Sequence, residues 1–240
     1  MDLEIVAHRG FSAMAPENTL AAFTAAIEGG ADSIEFDLQL SSDGVPVIFH
    51  DETLDRITGT SGKLARKSLE ELKQLNAGAW FAEQFVGETI PTLAEALTCF
   101  KWVEKFLYFD VKPHCQWSET DVQRLIQQVR EAGILEKCVM TAFNEEFLTL
   151  VRSCCPEMKL GYFLTEAANY PQQLQKATAS GNAILSSLFD VVLDNPHFVE
   201  DGRTRGVDWV VWTVDRPEHF QELIELGVRR IITNSLIGWT

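Results

Sequence analysis

The chain has 240 residues, 46% of them hydrophobic and 23% charged, which is the composition of a globular protein rather than a disordered or fibrous one. Twenty Lys and Arg against 35 Asp and Glu leave a net charge of −15 without any basic cluster, so nucleic acid and anionic membrane surfaces are poor partners. Five cysteines without C-x-x-C spacing fit a reducing compartment, the acidic start Met1-Asp2-Leu3-Glu4 lacks a signal-peptide pattern, and no apolar run nears the roughly 20 residues of a membrane span; a cytoplasmic location without membrane insertion is therefore expected.

In chain order, Leu3 to Ala7 is a short apolar run that ends on His8-Arg9-Gly10, as a strand delivering polar residues at its C-terminal end would. Pro16-Glu17-Asn18-Thr19 opens a helix on which Leu20, Phe23, Ala26 and Ile27 keep helical spacing, and Gly29-Gly30 ends it. The next strand, Ser33-Ile34-Glu35-Phe36-Asp37-Leu38, is the most informative stretch. Side chains alternate faces along a strand, so Glu35 and Asp37 point one way while Ile34, Phe36 and Leu38 point the other, into apolar packing. Two acids side by side on a strand repel each other and resist desolvation unless a cation lies between them. A hard divalent metal answers both costs, since Mg²⁺ and Ca²⁺ take oxygen ligands; a solvated strand end or pairing with Lys or Arg is the alternative.

Ser41-Ser42-Asp43-Gly44 is a turn signal, after which Val45 to Phe49 returns as a hairpin strand and delivers His50-Asp51. Residues 51 to about 91 interrupt the rhythm with a Thr-, Gly- and charge-rich excursion, in which one short helix starts at the capping box Ser68-Leu69-Glu70-Glu71 and stops by Gly78. A second capping box, Thr92-Leu93-Ala94-Glu95, resumes the alternation. Strands are expected at 106–112, 138–143, 159–164, 184–188, 208–214 and 230–233, with helices at 119–132, 144–154, 171–180, 195–205 and 216–226 between them. Setting the hairpin strand aside, eight parallel strands alternate with helices. The expected fold is an α/β protein of the (β/α)8 TIM-barrel type, one domain over 1–240 with an insertion at about 51–91, and an active site at the C-terminal strand ends.

Those ends carry His8 and Arg9, Glu35 and Asp37, His50, Asp110 and Lys112, and Trp212 and Thr213. Asp110 and Lys112 repeat the two-residue spacing of Glu35 and Asp37, with Phe109 and Val111 on the opposite face. Any one of these has a bland reading as an ion pair, a hydrogen-bonded histidine or a core aromatic. Together at one barrel rim they form a candidate site.

The chain resembles the glycerophosphodiester phosphodiesterase family from Val6 to about Ser235. The resemblance is carried by Ala7-His8-Arg9-Gly10, Pro16-Glu17-Asn18-Thr19, Glu35-Phe36-Asp37, Val47-Ile48-Phe49-His50-Asp51, Leu54-Asp55-Arg56-Ile57-Thr58, Ile90-Pro91-Thr92-Leu93, Trp212-Thr213-Val214 and Ile231-Ile232-Thr233. It implies a distorted barrel with a small insertion after the second strand, a divalent metal, and hydrolysis of a small glycerophosphodiester to glycerol 3-phosphate and an alcohol; Mg²⁺ is favoured over Ca²⁺ because few protein carboxylates with substrate phosphate and water suit its octahedral shell. It further implies Glu35, Asp37 and Asp110 as metal ligands, His8 and His50 as the acid–base pair, and Arg9 and Lys112 as phosphate-binding cations. Glu17 then lies behind Arg9 or His8, with a helix-start acid favoured by the macrodipole as its alternative, and Trp212 walls the substrate, with plain core as its alternative.

Three positions depart from the family pattern. Asp110 stands where Glu is usual, Thr233-Asn234-Ser235-Leu236 replaces Thr-Asp-x-Pro, and Ala142-Phe143 replaces Ser-Phe. The alternatives are a related phosphodiesterase acting on lysolipid-type diesters, a non-catalytic phosphodiester-binding barrel, and an enolase-like lyase. The last usually shows a Lys base and no paired histidines.

Overall fold

In the computed structural model, eight strands pair in parallel and close on themselves, because the first pairs with both the second and the last. The strands are β1 (Glu4–His8), β2 (Ser33–Leu40), β3 (Pro46–Ile48), β4 (Leu107–Val111), β5 (Cys138–Ala142), β6 (Lys159–Leu164), β7 (Ala183–Leu188), β8 (Asp208–Trp212) and β9 (Arg230–Thr233). Among the strands of the described residues, only β3 stands outside the barrel, as an antiparallel hairpin partner of β2. The structure describes residues 2–236; Met1 of the N-terminal stretch and residues 237–240, the two extremes of the expected 1–240 domain, lie outside the described residues.

Alternation along the strands separates two apolar layers. Ile34, Phe36 and Leu38 join the large cluster between sheet and outer helices, while Val6, Tyr108, Val139, Ile184, Val210 and Ile232 fill the barrel interior. Phe36 lies at the centre of the outer layer, stacked on Phe100 at 4.7 Å and tilted against Phe109 at 4.5 Å, with Phe23 edge-on at 6.0 Å. Phe36→Ala should therefore cost about 3–5 kcal/mol of unfolding free energy, read from urea denaturation. A loss below about 1 kcal/mol would mean the neighbouring rings close the gap.

The expected helices at 119–132, 144–154, 171–180 and 216–226 are present as Glu119–Glu131, Glu145–Cys154, Tyr170–Ser180 and Pro217–Glu225. Between β7 and β8 the chain forms two helices, Phe189–Asp194 and His197–Thr204, where the sequence pattern gave one. Asp190, Val191, Val192 and Asp194 are weak helix formers, and burial of Val192 in the core decides the conformation against propensity. The 51–91 excursion likewise holds more helix than expected. Its α-helical turns are Asp55–Thr58 and Leu69–Leu72, the latter ending well before Gly78, and 3₁₀ turns cover Leu64–Arg66 and Glu83–Phe85. The capping box is formed, with Ser68 Oγ accepting from the Glu71 amide. Leu54, Ile57, Leu64, Leu72 and Ala77 pack with Val47, Phe49 and Ile90 in a cluster of their own beside the hairpin. That cluster holds the excursion against the β2–β3 hairpin.

Candidate active site

Strand pairing brings the acids together. Asp37 on β2 lies directly opposite Asp110 on β4, and Glu35 lies opposite Tyr108 on β4 and His8 on β1. All three carboxylates face the barrel interior at its C-terminal mouth, and one oxygen from each lies within 4.8 Å of the others. Glu35 and Asp110 line a cavity of about 280 Å³ together with His8, Arg9, His50, Lys112 and an aromatic side formed by Phe143, Phe163 and Trp212. Phe143 stacks on Phe163 at 4.2 Å, and Trp212 meets Phe163 edge-on at 5.7 Å.

The turn after β1 sets the first arm. Arg9 adopts a left-handed backbone (φ 54°), and its N–H donates to Glu35 Oε2 at 2.9 Å. Gly10 follows at φ 78°, where a Cβ would lie 2.6 Å from the Ala22 backbone, so only glycine fits. The Arg9 guanidinium donates to Glu17 Oε1 at 2.7 Å, and its Nε lies 3.2 Å from Asp37 Oδ2 as an ion pair without hydrogen-bond alignment. Asn18, also left-handed at φ 60°, donates to the same Asp37 oxygen at 2.6 Å, and its Oδ1 accepts from the Asp37 amide.

The second arm comes from the hairpin and the excursion. His50 Nδ1 lies 2.7 Å from Asp51 Oδ1, and Arg56 donates to both Asp51 oxygens at 2.7 and 2.9 Å. Arg56 also donates to both oxygens of Glu17 at 2.8 Å. One guanidinium therefore ties the carboxylate behind His50 to the carboxylate behind Arg9. The Arg56 hydrogen bonds hold Asp51 ionised, down to about 2.

Charge inside the cavity is unevenly matched. The Lys112 ammonium sits between Asp37 Oδ1 at 2.8 Å and Asp110 Oδ2 at 2.7 Å. Burial alone would raise Asp37, but Lys112 and Arg9 outweigh it and hold this carboxylate well below its ordinary range. Glu35 goes the other way, pushed well above the usual carboxylate range by burial and by the charges of Asp37 and Asp110. Asp110 Oδ1 is buried without a hydrogen-bond partner among the described residues. Three carboxylates with two cations, one of them strained toward protonation and another with an unpartnered oxygen, form a site short of positive charge. That donor set fits a hard divalent ion.

His8 Nδ1 lies 2.6 Å from Asn234 Oδ1, and its Nε2 is 3.8 Å from Glu35 Oε2. Burial and the Arg9 charge push this imidazole down from 6.5 to about 4. Between those values the unfolded chain binds a proton at position 8 that the folded chain does not, so this contribution to stability is lost as pH falls from 6.5 toward 4. Glu35 contributes with the opposite sign, because its raised value makes the folded state the better proton binder. The metal-free His8→Asn protein should therefore lose less stability than the wild type between about pH 7 and pH 4.5, measured by urea denaturation at both. Equal losses would remove His8 as a source of the dependence.

The structure thus brings the nine residues singled out from the sequence to one end of the barrel: His8, Arg9, Glu35, His50, Asp110, Lys112 and Trp212 line the cavity, with Asp37 in the acid cluster and Glu17 bonded to Arg9. Sequence reasoning missed the roles of Asn18, Asp51, Arg56, Phe143 and Phe163. Several of them lay within or beside the quoted motifs, and adjacency to Glu17 or His50 was the available signal.

Comparison with known proteins places this geometry. The family model described as "Glycerophosphoryl diester phosphodiesterase family" matches residues 8–237. A glycerophosphodiester phosphodiesterase of Caldanaerobacter subterraneus subsp. tengcongensis is 35% identical over 230 residues, covering 96% of this chain and 93% of that protein. Among solved structures, an Oleispira antarctica phosphodiesterase in complex with the product sn-glycerol-3-phosphate superimposes with a TM-score of 0.88 at 29% identity, covering 96% of this chain and 92% of that one. A glycerophosphodiester phosphodiesterase from Agrobacterium tumefaciens gives 0.81 at 28% identity, covering 98% and 97%.

Proposed function

Since the chain belongs to the glycerophosphoryl diester phosphodiesterase family, and is thereby a phosphodiesterase of the hydrolase class, we propose that it cleaves small glycerophosphodiesters to glycerol 3-phosphate and an alcohol, with one divalent metal ion and a two-histidine acid–base pair. The barrel and its 51–91 excursion would act as one catalytic domain, the excursion supplying the Arg56 tie behind His50 and Arg9. The observation that carries the reading is the buried cluster of Glu35, Asp37 and Asp110, with an Asp110 oxygen unpartnered among the described residues, at a cavity that His8 and His50 also line.

Glu35, Asp37 and Asp110 would hold the ion, which supplies a Lewis acid for a phosphate oxygen. Mg²⁺ is favoured over Ca²⁺, because few protein carboxylates completed by substrate and water suit its octahedral shell. The chain's own groups do the rest. Arg9 and Lys112 neutralise phosphate charge and orient the group, each already held in place by carboxylates. One histidine takes a proton from the nucleophile, either water or the substrate's own 2-hydroxyl with water opening the resulting cyclic phosphate, and the other gives one to the leaving alkoxide, a division that imidazole suits near neutral pH. Trp212, with Phe143 and Phe163, offers an apolar wall to the carbon portion of the substrate.

The decisive experiment is a panel of glycerophosphodiesters (choline, ethanolamine, glycerol and inositol head groups, with lysolipids as a separate arm), assayed with and without chelator. Release of glycerol 3-phosphate that depends on added metal is expected. Affinity without turnover on every substrate would replace the enzyme with a binding barrel.

A further inference from the structure

Behind His8 lies a second line of polar contacts, outside the acid–base pair itself. Asn234 Oδ1 lies 2.6 Å from His8 Nδ1 and accepts from Ser12 Oγ at 2.9 Å. At its other end, Asn234 Nδ2 donates to Asp215 Oδ2 at 2.6 Å. The remaining Asp215 oxygen accepts from the Asn234 backbone N–H at 2.8 Å and from Thr233 Oγ1 at 2.9 Å, so the carboxylate is clamped to the strand end that carries the amide.

The direction of this line follows from what each group is able to do. A primary amide has one end that only donates and one that only accepts, and it fits a site equally well by shape in either orientation. A carboxylate only accepts, so Asp215 selects the NH₂ end of Asn234. The carbonyl end is then left toward Ser12 and His8. Because that oxygen only accepts, the His8 nitrogen facing it must carry the hydrogen, and in a neutral imidazole the other nitrogen, Nε2, is left with its lone pair.

We propose that Asp215, acting through the Asn234 amide, is a positioning residue that locks His8 in the Nδ1–H tautomer and so presents an unprotonated Nε2 on the Glu35 side of the cavity as a proton acceptor. The assignment rests on His8 being one of the acid–base pair. It gives a purpose to the asparagine at position 234, which departs from the family's usual aspartate: an amide transmits orientation from a carboxylate one residue further back.

The test is the isosteric exchange Asp215→Asn. It keeps an oxygen for Thr233 and the Asn234 backbone but puts an NH₂ group where Oδ2 accepted. Two facing NH₂ groups repel, so the Asn234 amide should turn over, direct its nitrogen at His8 and move the imidazole hydrogen to Nε2. Nitrogen-15 NMR of the metal-free protein at neutral pH, with the His8 signals assigned by their loss in His8→Ala, should show the Nδ1–H pattern in the wild type and the Nε2–H pattern in the variant. In the metal-loaded protein kcat should fall by about 10²–10⁴-fold with KM little changed, the penalty of a catalytic imidazole held in the wrong tautomer. Asn234→Ala gives a second reading should the first variant fold poorly: without the amide, His8 should show both tautomers and kcat should fall less far. An unaltered His8 tautomer in both variants would overturn the proposal even if activity were lost, since the contacts would then be structural. A switched tautomer with normal kcat would overturn it as well. Undiminished activity in His8→Ala would instead dismiss the acid–base reading, whatever the tautomer.

Discussion

His8→Ala and His50→Ala should each lower kcat by about 10²–10⁴-fold, the usual worth of a positioned acid or base. The two side chains reach the cavity from independent supports, the β1 end and the hairpin end, and each is held through Nδ1 by a separate partner, Asn234 or Asp51. Neither belongs to the large apolar clusters, so both variants should fold with near-normal denaturation midpoints. The two losses should also be far from additive in the double variant, because a proton taken without one given, or the reverse, leaves the step incomplete. A bell-shaped pH profile for kcat/KM in the wild type, with one limb displaced in each single variant, is the accompanying signature. Near-normal turnover in either single variant would reduce that histidine to a structural part of the rim.

Exhaustive chelation should abolish hydrolysis, and added Mg²⁺ or Ca²⁺ should restore it. Burial, Asp37 and Asp110 favour the protonated form of Glu35, so protons and metal compete for the cluster. Metal affinity should therefore fall as pH falls, and calorimetry in buffers of different ionisation enthalpy should count the protons released. Asp110 is the discriminating position. One of its oxygens accepts from Lys112 at 2.7 Å, and the other is buried without a partner among the described residues. Asp110→Asn keeps the shape and removes the charge. It should weaken metal binding by about 10-fold or more, given that losing even an outer hydrogen-bond partner of a ligand costs about 10–100-fold. Excess metal should recover part of the activity. Asp110→Glu, the family's usual residue, should be tolerated with a changed Mg²⁺ to Ca²⁺ preference, because ligand reach helps separate the two ions. A metal constant unaltered in Asp110→Asn would leave Asp110 as the partner of Lys112 alone. Full turnover after chelation, with no metal found by elemental analysis, would remove the ion altogether.

Much of the molecule is legible in the order of its residues, for a local reason. Strand periodicity alone places Glu35 and Asp37 on one face and Ile34, Phe36 and Leu38 on the other, since no tertiary contact can change which neighbours alternate. Repeated strand–helix units leave a closed parallel sheet as the economical solution, and polar residues at strand ends then mark the mouth. Where local preference is weak, sequence reasoning fails. The helix Phe189–Asp194 has poor formers and forms because Val192 is buried, and the short turns of the excursion depend on the cluster around Leu54 and Leu72.

Tertiary structure decided how the site is wired. The register that sets Asp37 beside Asp110 belongs to the pairing of β2 with β4, strands separated by the whole excursion. Arg56 meets Glu17 across 39 positions, and His8 meets Asn234 across 226, because closure of β1 onto β9 lays the two ends of the chain side by side. Asn18, Asp215 and Asn234 have the side chains of ordinary turn residues, and neither the place of Asn18 beside Glu17 nor the departure at Asn234 names a hydrogen-bond partner. Their roles arise from single hydrogen bonds whose partners are fixed only when the barrel closes, and hydrogen bonds need a distance and a direction that residue order does not contain.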